Sequence, residues 1–208
     1  MVKYYIFVLS KQNNMAGRPK IYDETTAIDN AVKVFWEKGY DNASSDDLLK
    51  AMGIGKGSFY FAFKGGKEEL FEKSMKRVVD QYFNELKNAV STCDDPVKLI
   101  KDFFFSLAGA QSPIGDKGCY FGNALVQITD SSTGLKVLAA GYLQLLESIF
   151  LKAMQRGKEL GLLKTEETPK ALAAYLVNLW NGINVTKRME PKQKKLLDLV
   201  KLNLKIIE

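Results

Sequence analysis

The sequence predicts an all-α protein, in which a three-helix head precedes a larger helical body, with about nine helices in total. Apolar residues recur at intervals of three and four along most of the chain, and the strict alternation of a half-buried strand is missing. Serine, aspartate or proline begins most of these stretches, and glycine ends several of them, as expected for helix caps. With 208 residues, 46% hydrophobic and 26% charged, the chain can bury a core of ordinary size.

Three helices are predicted near the N-terminus. Residues 23–38 carry one apolar stripe and precede Gly39 at a C-cap position; the stripe consists of Ile28, Ala31, Val32 and Phe35. Ser44, with an aspartate three residues later, matches a capping box and begins a short helix that ends at Gly53. After a tight glycine turn, residues 56–61 form the third helix. This order is typical of a helix-turn-helix, whose last helix enters the major groove of DNA.

The rest of the chain is predicted to form longer helices. Residues 67–90 are amphipathic, with one apolar face made of Phe71, Met75, Val78, Tyr82 and Leu86. Further helices are expected at residues 94–107, 119–128, 135–156, 169–187 and 191–207, with a glycine-rich loop at 109–118. We therefore divide the chain into an extension at 1–14, a helix-turn-helix head at 15–66 and a helical body at 67–208. Met15 is an alternative start of the chain.

Composition argues against most enzyme and metal chemistry. The chain has no histidine, which excludes histidine-based acid-base catalysis and histidine metal ligands. Its two cysteines, Cys93 and Cys119, are too far apart in sequence to form a Cys-x-x-Cys pair. We therefore predict no enzyme, no metal site and no cofactor. Because no apolar run reaches the roughly 20 residues that span a bilayer, we also predict no membrane span and a cytoplasmic location.

The net charge of +6 is unevenly distributed. Acidic and basic residues balance within the predicted head, so the head's total charge does not by itself indicate nucleic-acid binding. Four lysines at the end of the head and just after it nevertheless lie in a stretch without acidic residues: Lys50, Lys56, Lys64 and Lys67. Any electrostatic attraction to DNA is therefore expected along a narrow edge of the head.

An ordered motif of about fifty residues runs through the head. It consists of Gly39-Tyr40, Ser44, Asp46 to Leu49, Met52 to Tyr60, Phe63 and Lys67 to Phe71. This motif resembles the DNA-binding domain of the TetR family of regulators, although the link from Phe63 to Lys67 is one residue longer than is usual there. The resemblance implies a homodimer that binds double-stranded operator DNA through two heads. It also implies bodies that enclose an effector cavity and pair through their last two helices.

Candidate DNA contacts lie on the third helix and around it. Lysine donates to guanine and an aromatic ring contacts the thymine methyl group, so the predicted base contacts are Lys56, Gly57, Ser58 and Phe61. The resemblance implies that the phosphate contacts are Ser44, Tyr60 and Lys67. Arg18 and Lys20 are predicted to reach the minor groove as a flexible arm. The structural alternative is that Ser44 only caps a helix and that Tyr60 only packs.

The body supplies a predicted effector pocket and a predicted dimer seam. The pocket candidates are Phe103, Phe104, Phe105, Cys119, Tyr120, Tyr142 and Trp180, although aromatic stripes form core more often than they contact ligands. The last two predicted helices carry apolar stripes that fit either a four-helix dimer seam or the monomer's own core. These stripes consist of Leu172, Leu176, Leu179, Ile183, Leu196, Leu197, Val200, Leu204 and Ile207.

Cys119 is the redox-sensing candidate. It follows Gly118 at the start of a predicted helix, where the helix dipole would lower the pKa of its thiol and make it reactive, and Lys187 is a candidate basic neighbour. The run Gly118-Cys119-Tyr120-Phe121-Gly122-Asn123 also resembles a TetR branch with members that sense electrophiles through a cysteine. The alternative is a small buried hydrophobic residue, as most unpaired cysteines are.

Together these features predict a repressor that binds a palindromic operator as a homodimer and is released by a small-molecule or electrophile effector. The alternative is a helical adaptor of the same fold that acts through protein contacts without binding DNA. The balanced charge of the head leaves that alternative open.

Overall fold

The computed structural model describes residues 22–109, 117–128, 132–189 and 193–208, and these residues contain helices but no strand. The α-helices are α1 (Glu24–Asn42), α2 (Ser45–Met52), α3 (Lys56–Ala62), α4 (Gly66–Val78), α5 (Asn84–Thr92), α6 (Pro96–Gly109), α7 (Tyr120–Gln127), α8 (Thr133–Glu159), α9 (Pro169–Met189) and α10 (Gln193–Asn203). A π-helical turn, Val79–Phe83, joins α4 to α5, and a 3-10 turn, Leu204–Ile207, follows α10. With α4 and α5 counted as one continuous helix, the described part of the chain has nine helices, which confirms the predicted fold class.

Several predicted features lie outside the described residues. They are the extension at 1–14, the arm residues Arg18 and Lys20, and most of the glycine-rich loop predicted at 109–118.

Helices α1 to α3 surround the apolar core of the head. The Asp23 carboxylate accepts a hydrogen bond from the Thr26 amide at 2.6 Å and caps α1. Regular helix geometry is interrupted at Gly39 (φ 78°), the predicted end of the helix, although one further turn follows to Asn42. The buried residues of the head include Ala27, Ala31, Phe35, Leu48, Met52 and Phe59.

The long helix after the head departs from its predicted register. The π turn at Val79–Phe83 inserts an extra residue into one turn and so rotates the helix face that follows. As a result Phe83, which is 5% exposed, continues the buried face of α4, whereas Tyr82 is 49% exposed. The prediction that Tyr82 lies on the buried face is therefore wrong.

In the body, α8 and α9 pack along each other, and α6, α7 and α10 surround them. Most of the apolar stripe residues of the last two helices are buried in this single chain: Leu172, Leu176, Leu179, Ile183, Leu196, Val200, Leu204 and Ile207. Leu197 is partly buried against the same core. The dimer-seam interpretation of these stripes is therefore wrong, because their side chains close the core of their own subunit. The large apolar side chains exposed on α9 and α10 are instead Val185, Met189, Leu199 and Leu202.

Helix α8 is long and apolar enough to cross a bilayer when judged by length and composition alone, which qualifies the prediction that no segment of the chain could do so. One face of this helix is buried by its neighbours in the fold, including Leu135, Ala139, Leu146 and Phe150. That burial accounts for the apolar composition, because the central helix of a packed bundle needs an apolar surface as well.

Ion pairs tie α1 to other parts of the chain. Arg77 of α4 donates from Nε and Nη2 to the two carboxylate oxygens of Asp29, at 2.6 and 2.9 Å. Lys117, which precedes α7, pairs with Glu37 at 3.3 Å. The first helix of the head is therefore connected both to the long helix and to the body.

Candidate DNA-binding face and effector cavity

Helix α3 presents one face to solvent. The exposed residues of this face are Lys56, Gly57, Ser58, Tyr60 and Phe61. The Phe61 side chain is 78% exposed, whereas Phe59 and Phe63 lie in the core of the head. The turn before α3 depends on Gly53, whose left-handed conformation (φ 68°) is one that glycine adopts without strain. All four predicted base-contact residues therefore lie together on an accessible helix face.

Ser44 is committed to capping α2. Its Oγ accepts from the Asp47 amide at 3.1 Å and donates to Asp47 Oδ2 at 2.7 Å, while its own amide donates to the same carboxylate at 3.2 Å. The capping box is confirmed. Both donors of Ser44 are engaged, so this conformation favours the capping alternative over the predicted phosphate contact.

The same carboxylate is strongly stabilised in its charged form. Lys38 Nζ lies 2.7 Å from Asp47 Oδ1. The hydrogen bond from Lys38, followed by those from Ser44, lowers the pKa of Asp47 to about 2. The negative charge of Asp47 is therefore compensated inside the head.

Lys67 folds back onto the head. Its Nζ lies 4.7 Å from the centre of the Tyr40 ring and donates to the carbonyl oxygen of Asp41 at 3.2 Å. Partial burial lowers the pKa of Lys67, and the charge of Asp41 opposes this shift. The extra residue of the preceding link is accommodated at Gly66, which has φ 65°. An ammonium group has three donors, so Lys67 keeps donors for a phosphate while it contacts Asp41.

Most acidic residues of the head form ion pairs with lysine or arginine side chains that lie outside α3. Besides the pairs of Asp29, Glu37 and Asp47, Glu24 lies 3.7 Å from Lys73. Within the described ranges, no ion pair engages the lysines of the acid-free stretch before Lys67, namely Lys50, Lys56 and Lys64. A head whose total charge is balanced therefore still presents unpaired positive charge near α3.

A cavity of about 300 Å³ lies beneath the head. Its described lining comes from α1, the α4–α5 helix, α6, α7 and α9: Trp36, Val78, Tyr82, Phe83, Phe103, Ser106, Leu107, Gly118, Cys119, Tyr120, Phe121, Trp180 and Asn184. Seven of these thirteen side chains are aromatic, and none of the thirteen is charged. Such a volume is at the small end of the range for small-molecule sites.

The predicted pocket residues are only partly correct. Phe103, Cys119, Tyr120 and Trp180 do line the cavity. Phe104 does not: it is fully buried in the core, with its ring centre 5.6 Å from that of Phe150. Tyr142 packs against the lining residue Phe121, at a ring-centre distance of 5.2 Å, and is not itself a lining residue. Neither is Phe105, which is partly buried against the core. Helical periodicity identified apolar side chains but not which of them face a cavity.

Cys119 occupies the N-cap of α7, as its sequence position suggests, but its chemistry differs from the prediction. The Sγ accepts from the Gly122 amide at 3.4 Å and from Trp180 Nε1 at 3.3 Å. Burial raises the pKa of the Cys119 thiol, and these hydrogen bonds only partly oppose that shift. The predicted lowering of this pKa is therefore wrong. Lys187, the candidate basic neighbour, is buried and donates to the carbonyl oxygen of Leu107 at 3.0 Å.

The cavity wall is joined directly to the head. Trp36 of α1 donates from Nε1 to the carbonyl oxygen of Gly118 at 2.9 Å, and its ring contacts that of Tyr120 at a centre distance of 5.1 Å. The Tyr120 hydroxyl lies 2.7 Å from Ser74 Oγ on α4. A change at α7 can therefore reach α1 and α4 through single side chains.

Sequence reasoning missed several cavity residues, and two of them carried a signal. Trp36 follows the core residue Phe35 and adds a large aromatic side chain beside the apolar stripe of α1. Asn184 is a buried polar residue of α9, four positions after Trp180 and therefore on the same side of the helix. Neither signal could locate the cavity, because it is formed by helices far apart in sequence. Within the described ranges, no group of histidine, cysteine, aspartate or glutamate side chains is arranged to hold a metal ion.

Comparisons with known proteins agree with this architecture. Residues 27–73 match the family model for bacterial regulatory proteins of the tetR family. The chain is 25% identical over 174 residues to the HTH-type transcriptional repressor DhaR of Mycobacterium sp. (strain GP1), covering 81% of this chain and 84% of DhaR. It is 26% identical over 197 residues to the HTH-type transcriptional repressor ComR of Escherichia coli (strain K12), covering 91% of each.

A solved structure shows the same fold. It is that of a cysteine mutant of the TetR family transcriptional regulator CifR, complexed with 26bp double-strand operator DNA. The TM-score is 0.81 at 24% identity, and the match covers 92% of this chain and 100% of CifR. Residues 27–73 therefore match the DNA-binding domain of the tetR family, and the chain as a whole shares the fold of CifR.

Proposed function

We propose that this protein is a repressor that binds a palindromic operator as a homodimer and releases it when a small molecule occupies the cavity beneath the head. The observation that carries the proposal is the face of α3, on which Lys56, Ser58 and Phe61 are exposed while Phe59 is buried. A short helix that exposes an aromatic ring beside an unpaired lysine fits the major groove, where both groups have partners.

On this proposal the head, residues 15–66, binds DNA, and the body, residues 67–208, binds the effector and the second subunit. Lys56, Gly57, Ser58 and Phe61 contact base edges, and Tyr60 and Lys67 contact phosphates. Ser44 acts by fixing the start of α2 and takes a phosphate only if it gives up its bonds to Asp47. Arg18 and Lys20 form the arm that reaches the minor groove.

The dimer interface is assigned to the outer faces of α9 and α10. Four large apolar side chains are exposed there, Val185, Met189, Leu199 and Leu202, and a groove lined in part by Gly182 lies between the two helices. Glycine at such a position allows helices to approach closely. Two copies of these faces make a self-complementary contact of the kind that twofold dimers use.

The effector is assigned to the cavity as a reversibly bound ligand. The raised pKa and the burial of Cys119 make a reactive thiolate unfavourable in this conformation, so an electrophile would need the cavity to open first. Sensing of electrophiles through Cys119, which the resemblance to a cysteine-sensing branch of the family implies, therefore stays a hypothesis that requires an opened cavity. Its test is operator release by a quinone, compared between the wild type and Cys119→Ser; identical release by both would exclude the thiol.

The test of DNA binding uses fragments upstream of the protein's own gene in a salt-titrated binding assay. Lys56→Ala is expected to weaken binding by about 1 to 3 kcal/mol and to relax one base position, whereas Lys67→Ala weakens binding to all sequences and lowers the salt slope by about 1. Lys87→Ala removes the same charge from an exposed site on α5 and serves as the control. If the wild type shows no preference for any duplex over random competitor at low salt, the adaptor alternative replaces this proposal.

A further inference from the structure

The donors and acceptors that remain free in the cavity wall indicate the chemical class of the effector. This inference rests on the proposed function, in which the cavity is the effector site. The wall consists mostly of aromatic rings, and the described lining offers no charged side chain to pair with an ionic ligand. Burying an unpaired ionic group is strongly unfavourable, so the lining selects an uncharged and largely aromatic molecule.

Nearly all the side-chain donors of the aromatic lining are already engaged within the protein. Trp36 Nε1 donates to the carbonyl oxygen of Gly118, and Trp180 Nε1 donates to Cys119 Sγ. The single hydroxyl hydrogen of Ser74 is directed to the carbonyl oxygen of Phe71 at 2.6 Å, so in the contact between Ser74 and Tyr120 the tyrosine must be the donor. None of these three rings has a donor left for a ligand.

Two polar side chains of the lining retain acceptors. Asn184, which is 4% exposed, donates one Nδ2 hydrogen to the carbonyl oxygen of Trp180 at 2.8 Å, which leaves its Oδ1 and its second Nδ2 hydrogen for a ligand. Ser106 donates from Oγ to the carbonyl oxygen of Phe103 at 2.7 Å and keeps its lone pairs. Tyr82 is the exception, because its half-exposed hydroxyl can turn to donate or to accept. Away from Tyr82, the acceptors that the wall offers to the donor of a ligand are therefore Asn184 Oδ1 and Ser106 Oγ.

Lys187, the buried cation among the described residues of this region, does not give the cavity lining a positive charge. Lys187 lies on the same helix as Asn184, but it is not a lining residue, and its Nζ donates to the carbonyl oxygen of Leu107. A carboxylate placed among the lining residues would find one N–H of Asn184 and no facing ammonium. An anion is therefore disfavoured, because the described lining does not compensate the loss of its hydration.

We propose that the cavity binds an uncharged aromatic molecule that carries a hydrogen-bond donor, such as a phenol, with the donor directed to Asn184 Oδ1 or Ser106 Oγ. The ring lies among Trp36, Phe103 and Trp180. Since Trp36 belongs to α1, such a ligand contacts the DNA-binding head itself.

The test compares three probes that differ in one substituent: 4-cyclohexylphenol, its methyl ether 4-cyclohexylanisole, and 4-cyclohexylbenzoate. Binding to the full-length protein without DNA is measured by calorimetry and by tryptophan emission. Both tryptophans of the chain, Trp36 and Trp180, line the cavity, so their emission reports occupancy there. The phenol is expected to bind about tenfold more tightly than the ether, which corresponds to one net hydrogen bond, and the benzoate more weakly than either.

Variants locate the hydrogen bond. Asn184→Leu removes one acceptor at similar volume and is expected to reduce the preference for phenol over ether, and Ser106→Ala tests the second acceptor should Asn184→Leu fail to fold. Asn88→Leu, at an exposed site on α5, serves as the control. The inference is overturned if the ether binds as well as the phenol, if the benzoate binds most tightly, if none of the three binds, or if both variants keep the full preference.

Operator binding is measured separately, so that the two proposals can fail independently. A phenol that binds with the expected preference but does not release DNA supports the ligand class and contradicts the proposed effector response. If the protein binds operator DNA but no probe changes the tryptophan emission, the proposed DNA binding is supported and the proposed ligand class is contradicted.

Discussion

The buried contact between Ser74 and Tyr120 allows a prediction whose sign depends on which residue donates. Tyr120 is 4% exposed, Ser74 is fully buried, and their oxygens lie 2.7 Å apart. Burial raises the pKa of Tyr120 well above its usual value, so its hydroxyl keeps the proton that it donates. Because Ser74 has already directed its own hydrogen to Phe71, the two possible deletions leave different groups unpaired.

Ser74→Ala leaves the Tyr120 hydroxyl buried with its donor unsatisfied, which is expected to lower the free energy of unfolding by about 1 to 3 kcal/mol. Tyr120→Phe removes that hydroxyl, while Ser74 keeps its bond to the backbone, so the expected loss is only about 0.5 to 1.5 kcal/mol. The double variant should resemble Tyr120→Phe alone, because once the phenol oxygen is gone the serine has little left to satisfy.

The assay is urea unfolding at one fixed protein concentration, since the stability of the proposed dimer would depend on concentration, with unchanged m-values required for comparison. Ser148→Ala is the matched control: Ser148 makes the same type of backbone bond, to Leu145 at 2.7 Å, but is exposed on α8. Its substitution is expected to stay within about 0.5 kcal/mol. A larger loss for Tyr120→Phe than for Ser74→Ala would refute the assignment of the donor.

Three further predictions concern other parts of the molecule. The pKa of Asp47 is about 2 in the folded protein and near 4 when unfolded, so its stabilising contribution is complete above about pH 4 and is lost as the pH falls towards 2. In urea melts, the loss of stability caused by Asp47→Asn should therefore shrink between pH 4 and pH 2, and a loss independent of pH would contradict the pairing with Lys38. Leu202→Glu, at a residue that is 61% exposed, should lower the dimer fraction in sedimentation without unfolding the subunit. Val137→Glu, at a 72% exposed site on α8, should leave the dimer fraction unchanged, and equal effects of the two variants would contradict the assignment of the interface to α10. Cys119, with its burial and raised pKa, should be alkylated by iodoacetamide far more slowly at neutral pH in the native protein than in urea, as followed by mass spectrometry, and equal rates would show that its site is open.

The head was predictable from the sequence to the level of single residues. Ser44 with Asp47, the glycine turn at Gly53 and the buried Phe59 all follow from interactions within a few residues of one another, and capping and helical periodicity describe such interactions directly. The π turn was not predictable in this way. One extra residue within a turn changes no composition, yet it moved Tyr82 to the surface and Phe83 into the core.

In the body, local sequence patterns predict which residues are apolar but not what those residues pack against. The periodicity of α9 identified Leu172, Leu176 and Ile183 as one apolar face, but the same stripe serves a core or an interface equally well. Only the packing of α8 along α9 shows that these residues are buried within one chain. Phe104 and Trp180 are both aromatic residues on apolar helix faces, yet Phe104 lies in the packed core and Trp180 lines the cavity.

The sequence by itself determined the all-helical class, the caps and turns of the head, and the exposed face of α3, because each depends on neighbours in the chain. Tertiary structure alone decided the cavity, the pKa of Cys119 and the contact of Trp36 with Gly118. Each of these depends on burial or on hydrogen bonds between residues that are distant in sequence, and the free energy of such contacts exists only once the helices have packed.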